Sequence, residues 1–403
     1  MVLGARHNWP LLAAACLLLQ SCEEDPGTGE VSKQPERIRS TVVVLRGAGA
    51  TFPKPIYTKW GLTYFELKRV KLDYQALGSD AGVKAISEGH VDFGASDIPL
   101  AVADLERLGL LQFPMIAGAI VPVVHLPGIA SGQLLLTAEL IAQIYLGKIR
   151  RWNDPALVQA NPSLVLPDQD IIAVFRADAS GSTWLLSSLL TELSPQWKAS
   201  MGVGSTLNWP TGVGAQGSEQ MARFIHRFDY TIGYVQLSLA KAEGLSWTRM
   251  KNRRGAVVEP EDRAVQVAAM HAITTSSERL RVAPVEQLDA QAWPLTTASY
   301  LLIRREVRNP DRARRMLEFF AWCLDEGRPL AQALHYVAVP EPLVAATQRL
   351  WGEYLRADGE ALWPPPLAAS RPGPSSQPAA AAQESGPSPD EIEDAATPGD
   401  RGR

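Results

Sequence analysis

The chain has 403 residues, 46% of them hydrophobic and 20% charged, with a formal net charge of -4 at pH 7. At roughly 100–200 residues per domain, that length fits two domains and a large core. That net charge argues against a nucleic-acid binder, and Lys and Arg are scattered apart from short clusters such as KIRRW at 148–152, so no polyanionic polymer is expected as partner.

In chain order, residues 1–22 carry a basic Arg6, an apolar run over 11–19 and small residues near the end, the layout of a secretory signal. The run is too short to span a bilayer permanently. Leu19-Gln20-Ser21-Cys22 resembles a bacterial lipobox, in which Cys22 becomes the lipidated first residue and anchors the protein to a membrane. Cys16 falls inside the signal and only Cys323 is left, so no internal disulfide is expected; Cys323 reads as a small core residue in an apolar helix. Residues 23–40, rich in polar residues with Pro and Gly, read as a flexible tether. Residues 367–403, built of Pro, Ala, Ser, Gly and acids, read as a disordered tail.

Between these ends, short apolar runs alternate with amphipathic segments, which predicts an α/β fold. Strands are expected at 42–45, 71–75, 91–95, 120–125, 171–175, 231–235 and 300–303, and helices at 53–68, 81–88, 138–146, 182–193, 216–226 and 311–326. Helix 53–68 repeats Ile56, Trp60, Tyr64 and Leu67 at helical spacing, with Thr51 as its expected N-cap and Pro53 in its first turn. Ser79 is expected to cap a short helix bearing Val83 and Ile86 that Gly89 ends. Strand 91–95 leads to Asp97, a carboxylate at a strand's C-terminal end. Strand 171–175 ends at Arg176, and Ser180-Gly181-Ser182 opens a helix with Leu185, Leu189 and Leu193 on one face; Asp178 is near enough to orient the guanidinium.

Three hydroxyl-bearing helix starts, one Arg and one Asp suit a compact oxyanion. Helix N-termini present unpaired N–H groups and a partial positive charge, and Arg adds a fixed fork of donors. Taken singly, a Ser or Thr before a helix is an ordinary cap, and the residues alone leave open whether Asp97 meets a ligand, a turn or solvent. If Asp97 joins the others it selects an anion that still carries a proton, which phosphate does near neutral pH and sulfate does not.

Other chemistries find little support. GAGATF has Phe52 where a dinucleotide fingerprint needs its third glycine, although Asp73 lies near the distance of a ribose-binding acid. A phosphate-handling hydrolase would recruit Ser79 or Ser180, but there is no nucleophile elbow, and the six histidines (His7, His90, His125, His226, His271, His335) stand singly. His125 and His335 read as core or edge residues. No catalytic residue, metal site or cofactor is expected.

The motifs GAGATFPKPIYTKW, YQALGSDAGVKAI, VDFGASDIPL, IYLGKIRRWNDP, RADASGSTW, GSTLNWPTGVGAQG and TIGYVQ, in this order, resemble the periplasmic phosphate-binding protein of the bacterial phosphate ABC importer, over about residues 42–363. The resemblance implies a two-domain periplasmic-binding-protein fold (type II) with inorganic phosphate in the interdomain cleft, hinge closure, a monomer, and delivery to the permease subunits of an ABC transporter. The chain order places one domain at about 41–117 plus 297–366 and the other at about 118–296. The resemblance implies that Thr51 supplies a hydroxyl and Phe52 an N–H, that Ser79 gives both, that Asp97 accepts the phosphate proton, and that Arg176, Ser180, Gly181 and Ser182 donate from the second domain with Asp178 in support. Sulfate, molybdate or arsenate is the alternative ligand class. Three departures stand out: Asp80 where a small residue is common, which would weaken binding if it faced inward, Ala179 for a glycine, and Ser182-Thr183 where Thr-Ser is frequent.

Overall fold

The computed structural model describes residues 42–274 and 290–363. The signal at 1–22 with Cys22, the tether at 23–40 and the tail at 367–403 lie outside the described residues. Within them, each expected strand and helix is present with shifted ends. The strands that organise the molecule are β1 (Val43–Gly49), β2 (Val70–Ala76), β3 (Phe93–Ser96), β4 (Leu110–His125), β5 (Ile172–Arg176), β6 (Val213–Ala215), β7 (Thr231–Gln236) and β8 (Thr296–Arg304). They run side by side in the order β2-β1-β3-β8-β4-β7-β5-β6. Among the described residues, no helix is long and apolar enough to cross a membrane.

β4 joins the two wings of this array. Over its first part it pairs antiparallel with β8, to Ala119 opposite Thr296, and from Ile120, opposite Gln236, it pairs with β7. Only 120–125 of this strand was expected, because Pro114 and Gly118 interrupt the run 110–119 and read as breakers. In the fold Pro114 is absorbed by an irregularity: Tyr300 opposes Pro114 and Ser299 opposes Ile116, so Met115 bulges out of the ladder. A bulge is where a central strand tolerates a residue with no N–H to give.

In the first wing β1 lies parallel to β2 and β3, so their C-terminal ends point the same way, and β5 and β7 do likewise in the second. Helix α1 (Lys54–Lys68) packs on β2 and buries Ile56, Tyr57, Trp60, Gly61 and Tyr64. Leu67, expected on that face, is 57% exposed, because the last turn runs past the packed core. The centre of the wing is Phe93, fully buried, with the rings of Phe320, Tyr74 and Tyr57 at 5.1, 6.1 and 6.4 Å. Cys323 is buried beside Phe319 and Phe320, as expected of a core thiol.

Removing the Phe93 ring leaves a void that its aromatic neighbours cannot fill. Phe93→Ala should cost about 3–5 kcal/mol in urea unfolding. A loss under about 1 kcal/mol would show that the ring does not centre this core.

Candidate functional site

The chain turns sharply at the ends of β1, β3 and β5, and the residues singled out above converge there. Gly49 makes the first turn possible: a Cβ on it would lie 2.0 Å from the Ala95 carbonyl oxygen, and its own carbonyl accepts from both Leu77 N–H and Gly78 N–H at 2.9 Å. β1, the end of β2 and β3 are thereby stitched at one point, which sets Thr51, Ser79 and Asp97 side by side.

Two of the three expected caps do not cap. Helix α1 begins after Pro53 with no side-chain cap, and α2 (Ser79–Ser87) begins at Ser79 itself with Gly78 ahead of it. The hydroxyls of Thr51 and Ser79 are turned elsewhere: Thr51 Oγ1 accepts from Arg176 Nη1 at 3.1 Å, and Ser79 Oγ accepts from the Asp97 N–H at 3.2 Å. Only Ser180 caps, accepting from Thr183 N–H at 3.4 Å to open α3 (Gly181–Leu193). A hydroxyl that accepts in a cap keeps its hydrogen to donate. Gly181 and Ser182 stand at the first two helical positions, whose N–H groups have no intrahelical acceptor. Phe52 is buried in the turn before α1; its carbonyl accepts from Tyr336 Oη at 2.7 Å, and its N–H makes no hydrogen bond among the described residues.

Arg176 is 2% exposed and makes four hydrogen bonds with its five N–H donors: Nε to Asp178 Oδ1 at 2.7 Å, Nη2 to Asp178 Oδ2, and Nη1 to the hydroxyls of Thr51 and Ser218, both at 3.1 Å. Asp178 also accepts from Gly217 N–H at 2.9 Å. Burial alone would raise the Asp178 carboxyl, but its two bonds to Arg176, the guanidinium charge and the Gly217 N–H hold it below the usual carboxylate range. The expected orienting role of Asp178 is thus a two-pronged ion pair.

Asp97 follows β3 directly and is 2% exposed. A Cβ added at Gly181 would lie 2.4 Å from Asp97 Cβ and 3.1 Å from both Asp97 Oδ2 and Ser79 Oγ. The start of α3 therefore rests directly on the ends of β3 and α2, and only a glycine permits it. Asp97 Oδ1 is buried with no hydrogen-bond partner. Its pKa is pushed up to about 7 by burial, partly opposed by the neighbouring Ser299 hydroxyl and by the Arg176 charge.

The departures find places. Asp80 is exposed and accepts from Ser205 Oγ at 3.0 Å, so it does not face the cluster. Thr183 Oγ1 bonds Tyr234 Oη at 2.7 Å, and that hydroxyl accepts from Arg176 N–H at 3.2 Å, so the Ser182-Thr183 order ties the helix start to the end of β5 and leaves Ser182 for the cluster. His125 Nδ1 lies 3.0 Å from the Ile225 carbonyl, and His335 pairs with Asp262 at 3.0 Å. Among the described residues no group of His, Cys, Asp and Glu could hold a metal ion.

Ser218 was missed. It is 2% exposed at the second position of α4 (Gly217–Arg227), bonds Thr51 Oγ1 at 3.0 Å, and borders a cavity of about 110 Å³. The signal was present: Gly217-Ser218 is a further Gly-Ser step into a helix, of the kind read at Gly78-Ser79.

Ionised Asp97 is costly in this pocket, so its folded pKa near 7 exceeds its unfolded value and the cost grows as pH rises from about 4 to 7. Asp97→Asn should therefore raise the melting temperature of ligand-free protein at pH 8 and change it little at pH 4. Equal shifts at both values would deny the carboxylate this role.

A family model described as PBP superfamily domain matches residues 24–326. Phosphate-binding protein PstS of Pasteurella multocida is 39% identical over 320 residues, covering 79% of this chain and 93% of that protein. Phosphate-binding protein PstS of Haemophilus influenzae is 39% identical over 312 residues, covering 77% and 93%. Among solved structures, a phosphate-binding protein from Stenotrophomonas maltophilia shares the fold with a TM-score of 0.62 at 18% identity, covering 79% of this chain and 96% of that one.

Proposed function

The chain belongs to the phosphate-binding proteins of the PBP superfamily, and from that premise we propose how it holds and releases its ligand. It captures inorganic phosphate and delivers it to an ABC-type importer, without chemistry on the anion. The fold is the type II periplasmic-binding-protein fold. The anion sits between the C-terminal ends of β1 and β3 and the start of α3, within a cleft between lobes formed by 41–117 with 297–366 and by 118–296. Thr51, Phe52, Ser79 and Asp97 line it from one side and Arg176, Ser180, Gly181 and Ser182 from the other, with Asp178 holding Arg176.

The observation that carries this reading is the contact of Gly181 with Asp97, which sets a carboxylate against a helix start and a buried guanidinium. The helix N–H groups and the uncommitted Arg176 donor favour an oxyanion. The carboxylate repels one unless the anion brings a proton, which favours phosphate over sulfate. The same proposal includes export, lipid attachment at Cys22 and action as a monomer.

Loss of the charged donor should be decisive. Arg176→Ala should weaken phosphate binding by about 10- to 100-fold in calorimetry, as expected of the one charge-assisted bond its uncommitted donor can make, and Gly181→Ala should weaken it with Arg176 intact. Native affinity in both variants would reject the site. Asp97→Asn should narrow the phosphate-to-sulfate ratio by at least about tenfold; an unchanged ratio would assign selectivity to another group. For the anchor, the mass spectrum of the exported protein should show lipid on Cys22, and a free thiol there would remove it.

A further inference from the structure

Asp97 is backed by two buried hydroxyls that the binding reading leaves unused. Ser299 stands on β8 one residue before Tyr300, which opposes Ser96 on β3, so Ser299 lies across from Asp97. It is fully buried, and its Oγ has no completed hydrogen bond. Tyr57, on the buried face of α1 and 2% exposed, also has an Oη without a partner. The Ser299 hydroxyl lowers the pKa of Asp97 against the rise that burial causes, and Tyr57, raised well above its usual value by burial, is the second group it acts on. Three buried polar atoms that each lack a partner are an incomplete relay, since an orphaned buried hydroxyl costs free energy that a single bond recovers.

The two oxygens of Asp97 face different ways. Oδ2 lies on the Gly181 side, toward the proposed anion, and Oδ1 is buried without a partner. We propose that Tyr57 donates to Ser299 and Ser299 to Asp97 Oδ1, a relay that keeps Asp97 ionised so that Oδ2 can accept the hydrogen of a protonated oxyanion. Tyr57 and Ser299 are positioning residues and do not touch the ligand. The relay has one direction because a tyrosine held far above its usual pKa stays a donor, and a carboxylate has only acceptors. The other groups acting around Asp97 are Arg176 from β5, which favours its ionised form, and the hydroxyls of Tyr74 and Tyr336, both held neutral by burial.

This inference rests on the phosphate reading, and its test separates the two. Phosphate and sulfate affinities are measured by calorimetry from pH 5.5 to 8.5 for the wild type, Ser299→Ala, Ser299→Thr and Tyr57→Phe. Without its donor, Asp97 should hold its proton to higher pH. The rising limb of phosphate binding should then shift alkaline by about one pH unit in Ser299→Ala, and the phosphate-to-sulfate ratio at pH 7 should fall about tenfold. Tyr57→Phe should show the same change in smaller measure, and Ser299→Thr, which keeps the hydroxyl, should restore the wild-type profile. A lower melting temperature with an unchanged ratio and pH limb would overturn the relay while leaving the site in place. A wild type that takes up no phosphate would overturn both.

Discussion

A guanidinium buried to 2% exposure is the constraint around which the site is organised. A lone charge there would be costly, and even a paired one stabilises only when its remaining donors are bonded. Asp178, two residues on, takes two donors, and the hydroxyls of Thr51 and Ser218 take two more. Those partners come from the turn after β1, the turn after β5 and the start of α4. Satisfying one side chain therefore fixes three segments relative to each other. Tyr234 extends the same logic, accepting from the Arg176 backbone and bonding Thr183 inside α3.

The Arg176–Asp178 pair is neutral as a unit, so the site does not attract an anion by net charge. On the proposed reading, its affinity comes from oriented dipoles: the first N–H groups of α2 and α3, the turn N–H of Phe52, and hydroxyls that accept within the protein and can donate outward. Such donors are fixed before the ligand arrives and need no surrounding lysines, which fits a chain with a net charge of -4. In the proposed site Asp97 adds discrimination at a cost in affinity. A carboxylate whose pKa burial pushes up to about 7 changes state in the same range as phosphate itself, so on that proposal a small change at Oδ1 alters which anions are accepted.

Much of this was legible because each part of the site has a local signature. Glycine followed by a hydroxyl residue and an amphipathic run marks a helix start regardless of tertiary context, and it located Ser79 and Ser182. Which way a hydroxyl points was not legible, because capping and ligand-facing roles use the same residue types. Ser180 caps, whereas Thr51 and Ser79 are drawn to Arg176 and to the Asp97 N–H. Partners supplied by distant strands left no local mark either. Ser299 gains its meaning only from the register that sets it across from Asp97. The first part of β4 was obscured for a related reason, since a proline inside a central strand is compatible only with a bulge that another strand must accommodate.

The contacts that bridge the two sides of the proposed cleft differ in kind, and the difference bears on how it opens. At the rim, Lys54 pairs with Glu219 at 2.5 Å and Ser205 donates to Asp80 at 3.0 Å, with the Lys54 and Glu219 side chains 38% and 48% exposed. Exposed pairs of this sort contribute about 0–1 kcal/mol each. In the interior, the Arg176 bond to Thr51 joins buried groups. An anion that bonds the helix start of one lobe and the turns of the other adds several charge-assisted bonds available only in the closed form. On the proposed closure, weak rim contacts leave the ligand to decide between open and closed, the differential affinity that a capture-and-release protein requires.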